Sequence, residues 1–130
     1  MKVVIAIDSF KGSLSSLEAG EAAKRGILKS NPQAQVEIRP LADGGEGTVE
    51  ALVQGMGGRT CKVTVTGPLG KPVEAEYGIV GDNTAVIEMS AAAGITLVPD
   101  KMRNPLYTTT YGVGEMIKDA IEKGCRRFLM

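Results

Sequence analysis

A continuous apolar run, KVVIAI (Lys2 to Ile7), and a second strand-like segment, VEIRPL (Val36 to Leu41), lead straight into glycine-rich polar loops and then into helical stripes. The loops are DSFKGS (Asp8 to Ser13) and ADGGEGT (Ala42 to Thr48). Short unbroken apolar runs are the pattern of strands covered on both faces, and successive strand–helix units join a parallel sheet through right-handed crossovers. Ligand crevices of such sheets lie outside the C-terminal ends of the strands, where both loops fall. A third loop of the same character, TTTYGVGE (Thr108 to Glu115), opens another helix. Helix N-termini present free N–H groups and positive dipole ends, so the expectation is that the three loops converge on an anionic ligand such as a phosphate or carboxylate.

Between these units the periodicity changes. Ser13 or Ser15 is expected to cap a helix carrying Leu14, Leu17, Ala23, Ile27 and Leu28 mostly on one stripe, ended by Asn31 and Pro32. A second helix is expected over Thr48 to Met56, closed by Gly57 and Gly58. RTCKVTVT (Arg59 to Thr66) and PVEAEYGIV (Pro72 to Val80) alternate at period two around a Gly67-Pro68-Leu69-Gly70 turn. Gly81-Asp82-Asn83 then signals a tight hairpin into TAVIEM (Thr84 to Met89). Arg59 to Met89 therefore reads as an antiparallel meander. A short helical turn over Ser90 to Gly94 and a helix after Thr108 to Gly112, stopped by Gly124, follow. Arg126 to Met130 reads as a helix exit into a new buried strand, and the expectation is a portion of a larger architecture. The change near Gly58 marks the expected division, 1–58 and 59–130.

Composition narrows the chemistry. At 130 residues and 43% hydrophobic, the chain has enough apolar side chains for one ordinary core. Fifteen basic against fifteen acidic residues argue against the basic footprint of a nucleic-acid binder. The apolar runs are too short to span a bilayer, and the N-terminus has no signal-like apolar core, so a cytoplasmic protein without membrane contact is expected. Cys61 and Cys125 are far apart in sequence and suggest neither a zinc site nor a disulfide framework. With no histidine, a general base must be a carboxylate, lysine or tyrosine, and a metal is expected to be a hard cation on oxygen ligands.

Each loop has a chemical reading and a plainer one. At the end of the first run, Lys11 can meet an anionic oxygen, Asp8 can hold Mg²⁺ or orient a hydroxyl, and Ser9 and Ser13 add hydroxyls; alternatively, Asp8 caps a turn and Lys11 is solvated. In the second loop Gly44, Gly45 and Gly47 permit close backbone approach, while Asp43 and Glu46 require a cation or a hydroxyl-rich ligand unless they only furnish an acidic first turn. In the third, Thr109, Thr110 and Gly112 offer hydroxyls and N–H groups, Glu115 can complete a cap, and simple capping explains the pattern equally well. Glu88 and Ser90 are placed to approach from the end of the meander, whereas Arg103 and Asn104 read as surface groups. Neither a Walker loop nor a dinucleotide fingerprint is present.

Taken in order, DSFKGS, ADGGEGT, VTGPLG, AVIEM-x-AAAG, RNPL and TTTYGVGE resemble the bacterial glycerate kinase family along the whole chain. The resemblance implies transfer of the ATP γ-phosphoryl group to a hydroxyl of D-glycerate with Mg²⁺ required. It also implies two α/β domains, one flavodoxin-like and discontinuous, with the site in the cleft between them. On that template the chain is an incomplete part of the architecture: a flavodoxin-like βαβα portion (1–58), then the start of an inserted α/β domain (59–130) with its meander and helix. Asp8, Lys11 and Asp43 are the implied catalytic groups, with Asp43 the candidate for the metal. Ser9, Ser13, Gly44, Gly45, Glu46, Thr109, Thr110 and Gly112 are the implied substrate-binding set. Family members are more than twice this length, and a glycine-rich stretch normally follows the strand near Phe128. A non-catalytic small-acid or phosphate-binding module, and a purely structural domain, are the competing readings.

Overall fold

The computed structural model describes residues 1–10 and 13–130; Lys11 and Gly12 lie outside the described residues. Strand β1 (Lys2–Ile7) pairs in parallel with β2 (Gln35–Pro40), in register from Lys2 opposite Gln35 to Ile7 opposite Pro40. The crossover is helix α1 (Ser16–Ser30). Its N-cap is Ser15, not Ser13: the Glu18 N–H donates to Ser15 Oγ at 3.2 Å and the Ser15 N–H donates to Glu18 Oε2 at 2.8 Å. This reciprocal pair satisfies two donors that the helix itself leaves free. The two backbone and side-chain bonds to Ser15 hold the Glu18 carboxyl below the usual carboxylate range.

The expectation that the first strand is covered on both faces is not met. Val3, Ile5 and Ile7 are half-buried, whereas Lys2, Val4 and Ala6 are exposed, Val4 at 54%. The reason is that α1, which packs on this strand pair, lies over one face only.

A second sheet has the order β3-β4-β5-β6, built from β3 (Arg59–Thr66), β4 (Pro72–Val80), β5 (Thr84–Val86) and β6 (Arg127–Leu129). The first three are antiparallel, as the alternation requires, and β6 joins parallel to β5. The meander ends earlier than its sequence suggests. The Ile87 N–H still donates to Leu129 O of β6 at 2.9 Å, but α3 (Met89–Ala93) begins two residues later and ends the strand.

Helix α4 (Tyr111–Glu122) and α3 cover one face of this sheet, with Tyr77, Ala75, Val113, Met116, Ala120 and Cys125 forming the main core. Helix α2 (Thr48–Met56) covers the other, where Val49 packs with Val80 and Val86. Thus α2, although it follows β2 in sequence, buries its apolar side against the four-stranded sheet. Inside the main core the Tyr77 hydroxyl donates to Asp119 Oδ2 at 2.6 Å, and Lys123 pairs with the same carboxylate. Burial first, then the adjoining carboxylate, hold the Tyr77 hydroxyl far above its ordinary pKa. Burial alone raises Asp119, but the Lys123 ammonium and the Tyr77 hydroxyl outweigh it and leave the carboxyl below its usual range.

Candidate active site

The loops after β1 and β2 both leave the C-terminal edge of the parallel pair and meet across a cavity of about 330 Å³. Ser9, Ser13 and Ser15 line it from the first loop, Leu41, Glu46 and Gly47 from the second, and Glu50 and Gln54 from α2. The first loop is pinned from inside: the Phe10 N–H donates to Leu14 O at 2.8 Å, the Ser13 N–H to Phe10 O at 2.9 Å, and the Ser16 hydroxyl donates to Ile7 O. Asp8 accepts from the Ser9 N–H at 2.6 Å, so one of its oxygens shapes the turn. Lys11, the cation this loop was expected to present, lies outside the described residues.

The second loop is an Asx-type turn followed by a left-handed glycine. Asp43 Oδ1 accepts from the Gly45 N–H at 2.9 Å, and Thr48 Oγ1 donates to Gly45 O at 2.8 Å. Gly47 then takes φ +92°, a conformation that L side chains rarely adopt, and serves as the N-cap of α2 with no side chain to offer its N–H groups. The missing cap comes from elsewhere. Glu88, just past β5, accepts from the Val49 N–H at 2.7 Å through Oε1, and its Oε2 faces Ser90 Oγ at 3.4 Å. The positive end of α2 is therefore already met by a carboxylate of the chain itself.

The third loop does not join the other two. Thr109 and Thr110 line a separate cavity of about 720 Å³ together with Pro68, Arg103, Asn104 and Thr108. It is tied to the β3–β4 turn, because the Thr109 N–H donates to Pro68 O at 3.0 Å. Arg103 and Asn104 are exposed, as read from sequence, and also line this cavity: Arg103 Nη2 pairs with Asp100 at 2.7 Å and its Nε donates to Val98 O at 3.2 Å. Glu115 does not complete a cap. It reaches β3 and accepts from the Thr66 N–H at 2.6 Å. Gly112 is buried where a Cβ would stand 2.1 Å from Thr66 O, so this glycine lets α4 approach β3.

Of the residues singled out by sequence, the structure thus brings Ser9, Ser13 and Glu46 into one cavity, with Asp8, Asp43, Gly44 and Gly45 shaping its two loops. Thr109 and Thr110 belong to the second cavity, and Gly112 to a helix–strand contact. Glu50 and Gln54 were not anticipated, and only their position one and two turns into α2 from the glycine loop could have signalled them. The charged groups among the described residues of the first cavity are Glu46 and Glu50. Such a lining suits a hydroxyl-rich or cation-associated ligand better than a bare anion. Among the described residues no group of three or more potential ligands is arranged to hold a metal ion. No helix among them is long and apolar enough to cross a membrane.

Strand-end loops facing a shared cavity, on a parallel βαβ unit followed by a second, mixed sheet, make this an α/β protein with a candidate small-molecule site at its loop edge. Comparison with known proteins gives the family. The glycerate kinase family model matches residues 3–130. The chain is 54% identical over 131 residues to a glycerate kinase of Bacillus subtilis (strain 168), covering 100% of this chain and 34% of that relative. It is 49% identical to the glycerate 2-kinase of Escherichia coli (strain K12), again over 100% of this chain and 34% of the relative. A crystal structure described as glycerate kinase 2 from Salmonella typhimurium LT2 superposes with a TM-score of 0.80 at 50% identity, covering 98% of this chain and 34% of that one. The chain belongs to the glycerate kinase family, and it spans about a third of the length of the curated relatives it matches.

Proposed function

We propose that this chain forms part of an ATP-dependent glycerate kinase that phosphorylates a hydroxyl of D-glycerate, and that the two strand-end loops form part of its substrate-handling face. The observation that carries the reading is the match to the family along residues 3–130, together with a shared cavity between the two loops. Segment 1–58 is the start of the flavodoxin-like domain and 59–130 the start of the inserted one.

The reaction moves a phosphoryl group: the glycerate hydroxyl oxygen forms a bond to the γ-phosphorus, the bond to the ADP oxygen breaks, and the hydroxyl proton passes to a base. Such transfer needs positioning and charge neutralisation more than covalent help from the protein. Lys11 is assigned to an anionic oxygen of phosphate or glycerate. Asp8 and Asp43 orient substrate hydroxyls or the cation, and Ser9, Ser13 and Glu46 bond the polar substrate at the cavity wall. The Gly44 backbone lies in the same loop, Gly45 serves it through its bond to Asp43, and Thr109 and Thr110 act from the wall of the second cavity, with Gly112 holding their loop against β3. The donor set suits Mg²⁺: Asp43 is exposed, one of its oxygens holds the turn, and among the described residues no hydrogen bond engages the other. Mg²⁺ is commonly held by one or two carboxylates plus substrate phosphates, so no protein cage is needed, and when bound it would neutralise phosphate charge.

The test is D-glycerate-dependent ADP release by the full-length protein supplied with MgATP, with Lys11→Ala and Asp43→Ala beside the parent. Expected is turnover in the parent and a loss of about a hundredfold or more in kcat/KM in each variant. No glycerate-dependent ADP from the parent would remove the kinase reading, and normal turnover in a variant would remove that residue from the site.

A further inference from the structure

We infer that Glu88 is a positioning residue, holding the Ala42–Thr48 loop in its working shape by capping α2 from 39 residues away. The inference rests on the reading of that loop as part of the substrate site.

A left-handed residue is required at position 47 for the chain to turn from the loop into α2, and the glycine there removes the side chain that would ordinarily cap the helix. A first turn with uncapped N–H groups would fray, and the adjoining loop would lose its fixed end. Glu88 supplies the acceptor, at 2.7 Å from the Val49 nitrogen. Its own backbone is well anchored, because Val86 and Ile87 immediately before it are only 1% and 2% exposed and α3 begins immediately after it. Val49 is itself buried against Val80 and Val86, so the bond sits where helix and sheet meet. Glu46 and Gly47 on one side of this bond, and Glu50 and Gln54 on the other, all line the first cavity. The bond therefore fixes the angle at which loop and helix present those groups, although Glu88 is not itself among the cavity-lining residues.

The role depends on reach and on an acceptor oxygen, and two conservative variants separate these from charge. Glu88→Gln keeps the length and an acceptor but loses the charge; Glu88→Asp keeps the charge but is one methylene short. In the full-length protein, kcat/KM with D-glycerate and MgATP is measured beside amide hydrogen exchange over residues 42–56. Expected is that Glu88→Gln stays within about threefold of the parent, while Glu88→Asp and Glu88→Ala lose about tenfold or more and exchange faster in the first turn of α2. Asp43→Ala is run alongside. If exchange quickens in Glu88→Ala while kcat/KM holds, Glu88 is only a helix cap and the inference is overturned. It is overturned equally if Glu88→Asp outperforms Glu88→Gln, since charge and not the bond would then matter. Should Glu88→Ala fail to fold, the order of the other two decides. A loss in Asp43→Ala without one in Glu88→Ala sinks only this inference, whereas no loss in either sinks the reading of the loop.

Discussion

Gly112 and Gly114 sit two residues apart in the first turns of one helix, yet alanine at the two positions should act in opposite directions. By helix propensity alone, each Gly→Ala change gains up to about 1 kcal/mol. At Gly114, exposed and with nothing within 4 Å of a new Cβ, that gain should be realised, as a few tenths to about 1 kcal/mol. At Gly112 the new Cβ would stand 2.1 Å from Thr66 O and 3.1 Å from a Val65 methyl, both in β3. The first contact is to backbone, so relief requires α4 to back away from β3 by about 1 Å, and overpacking of this kind costs about 1–3 kcal/mol. The same retreat stretches the 2.6 Å bond from the Thr66 N–H to Glu115. Losing it costs about 1–3 kcal/mol more. The steric and hydrogen-bond losses exceed the propensity gain, and Gly112→Ala should be less stable than the parent by about 1–5 kcal/mol. Urea unfolding followed by circular dichroism, with all three proteins sharing one m-value, measures this directly. If Gly112→Ala matched Gly114→Ala, the close approach of α4 to β3 would be wrong, and with it the structural role given to this glycine.

Two further measurements probe the main core. Asp119 is held below its usual range in the folded state, so its contribution is present above the ordinary aspartate pKa of about 3.9 and is lost as pH falls through the lower folded value. Tyr77→Phe removes one of the groups that lower it, and stability should fall less steeply below about pH 4 than in the parent, as read from urea midpoints across that range; parallel acid limbs would refute the coupling. Burial pushes the Cys125 thiol up, with Cys61 close by adding to the effect, whereas Cys61 is partly exposed. A chromogenic disulfide reagent should therefore react with one thiol in the folded protein and with the second only on unfolding, and prompt reaction of both would contradict the burial of Cys125.

The elements themselves were legible because their causes are local. Period-two alternation placed β3 and β4, and glycine pairs and capping residues bounded α2 and α1. The position of the first two loops was legible too, since strand ends in a βαβ unit fall at one edge whatever the side chains do. The third loop has the same helix-opening signature as the other two, and nothing local reveals that the Pro68 carbonyl draws Thr109 toward a different cavity. Arg103 and Asn104 are exposed, as their loop position suggests, and only the fold shows that Asp100 and the Val98 carbonyl hold Arg103 along the wall of that cavity.

What the sequence determined by itself was the main helices and strands and membership of a family, both of which are carried by contiguous residues. Only the tertiary structure decided how these pieces meet. It placed α2 on the four-stranded sheet, Glu88 on the helix end that Gly47 leaves uncapped, and α4 close enough to β3 that Gly112 has no room for a side chain. Those relations join residues tens of positions apart, and they follow from where buried faces pack and where unpaired N–H groups find acceptors, which no local pattern encodes.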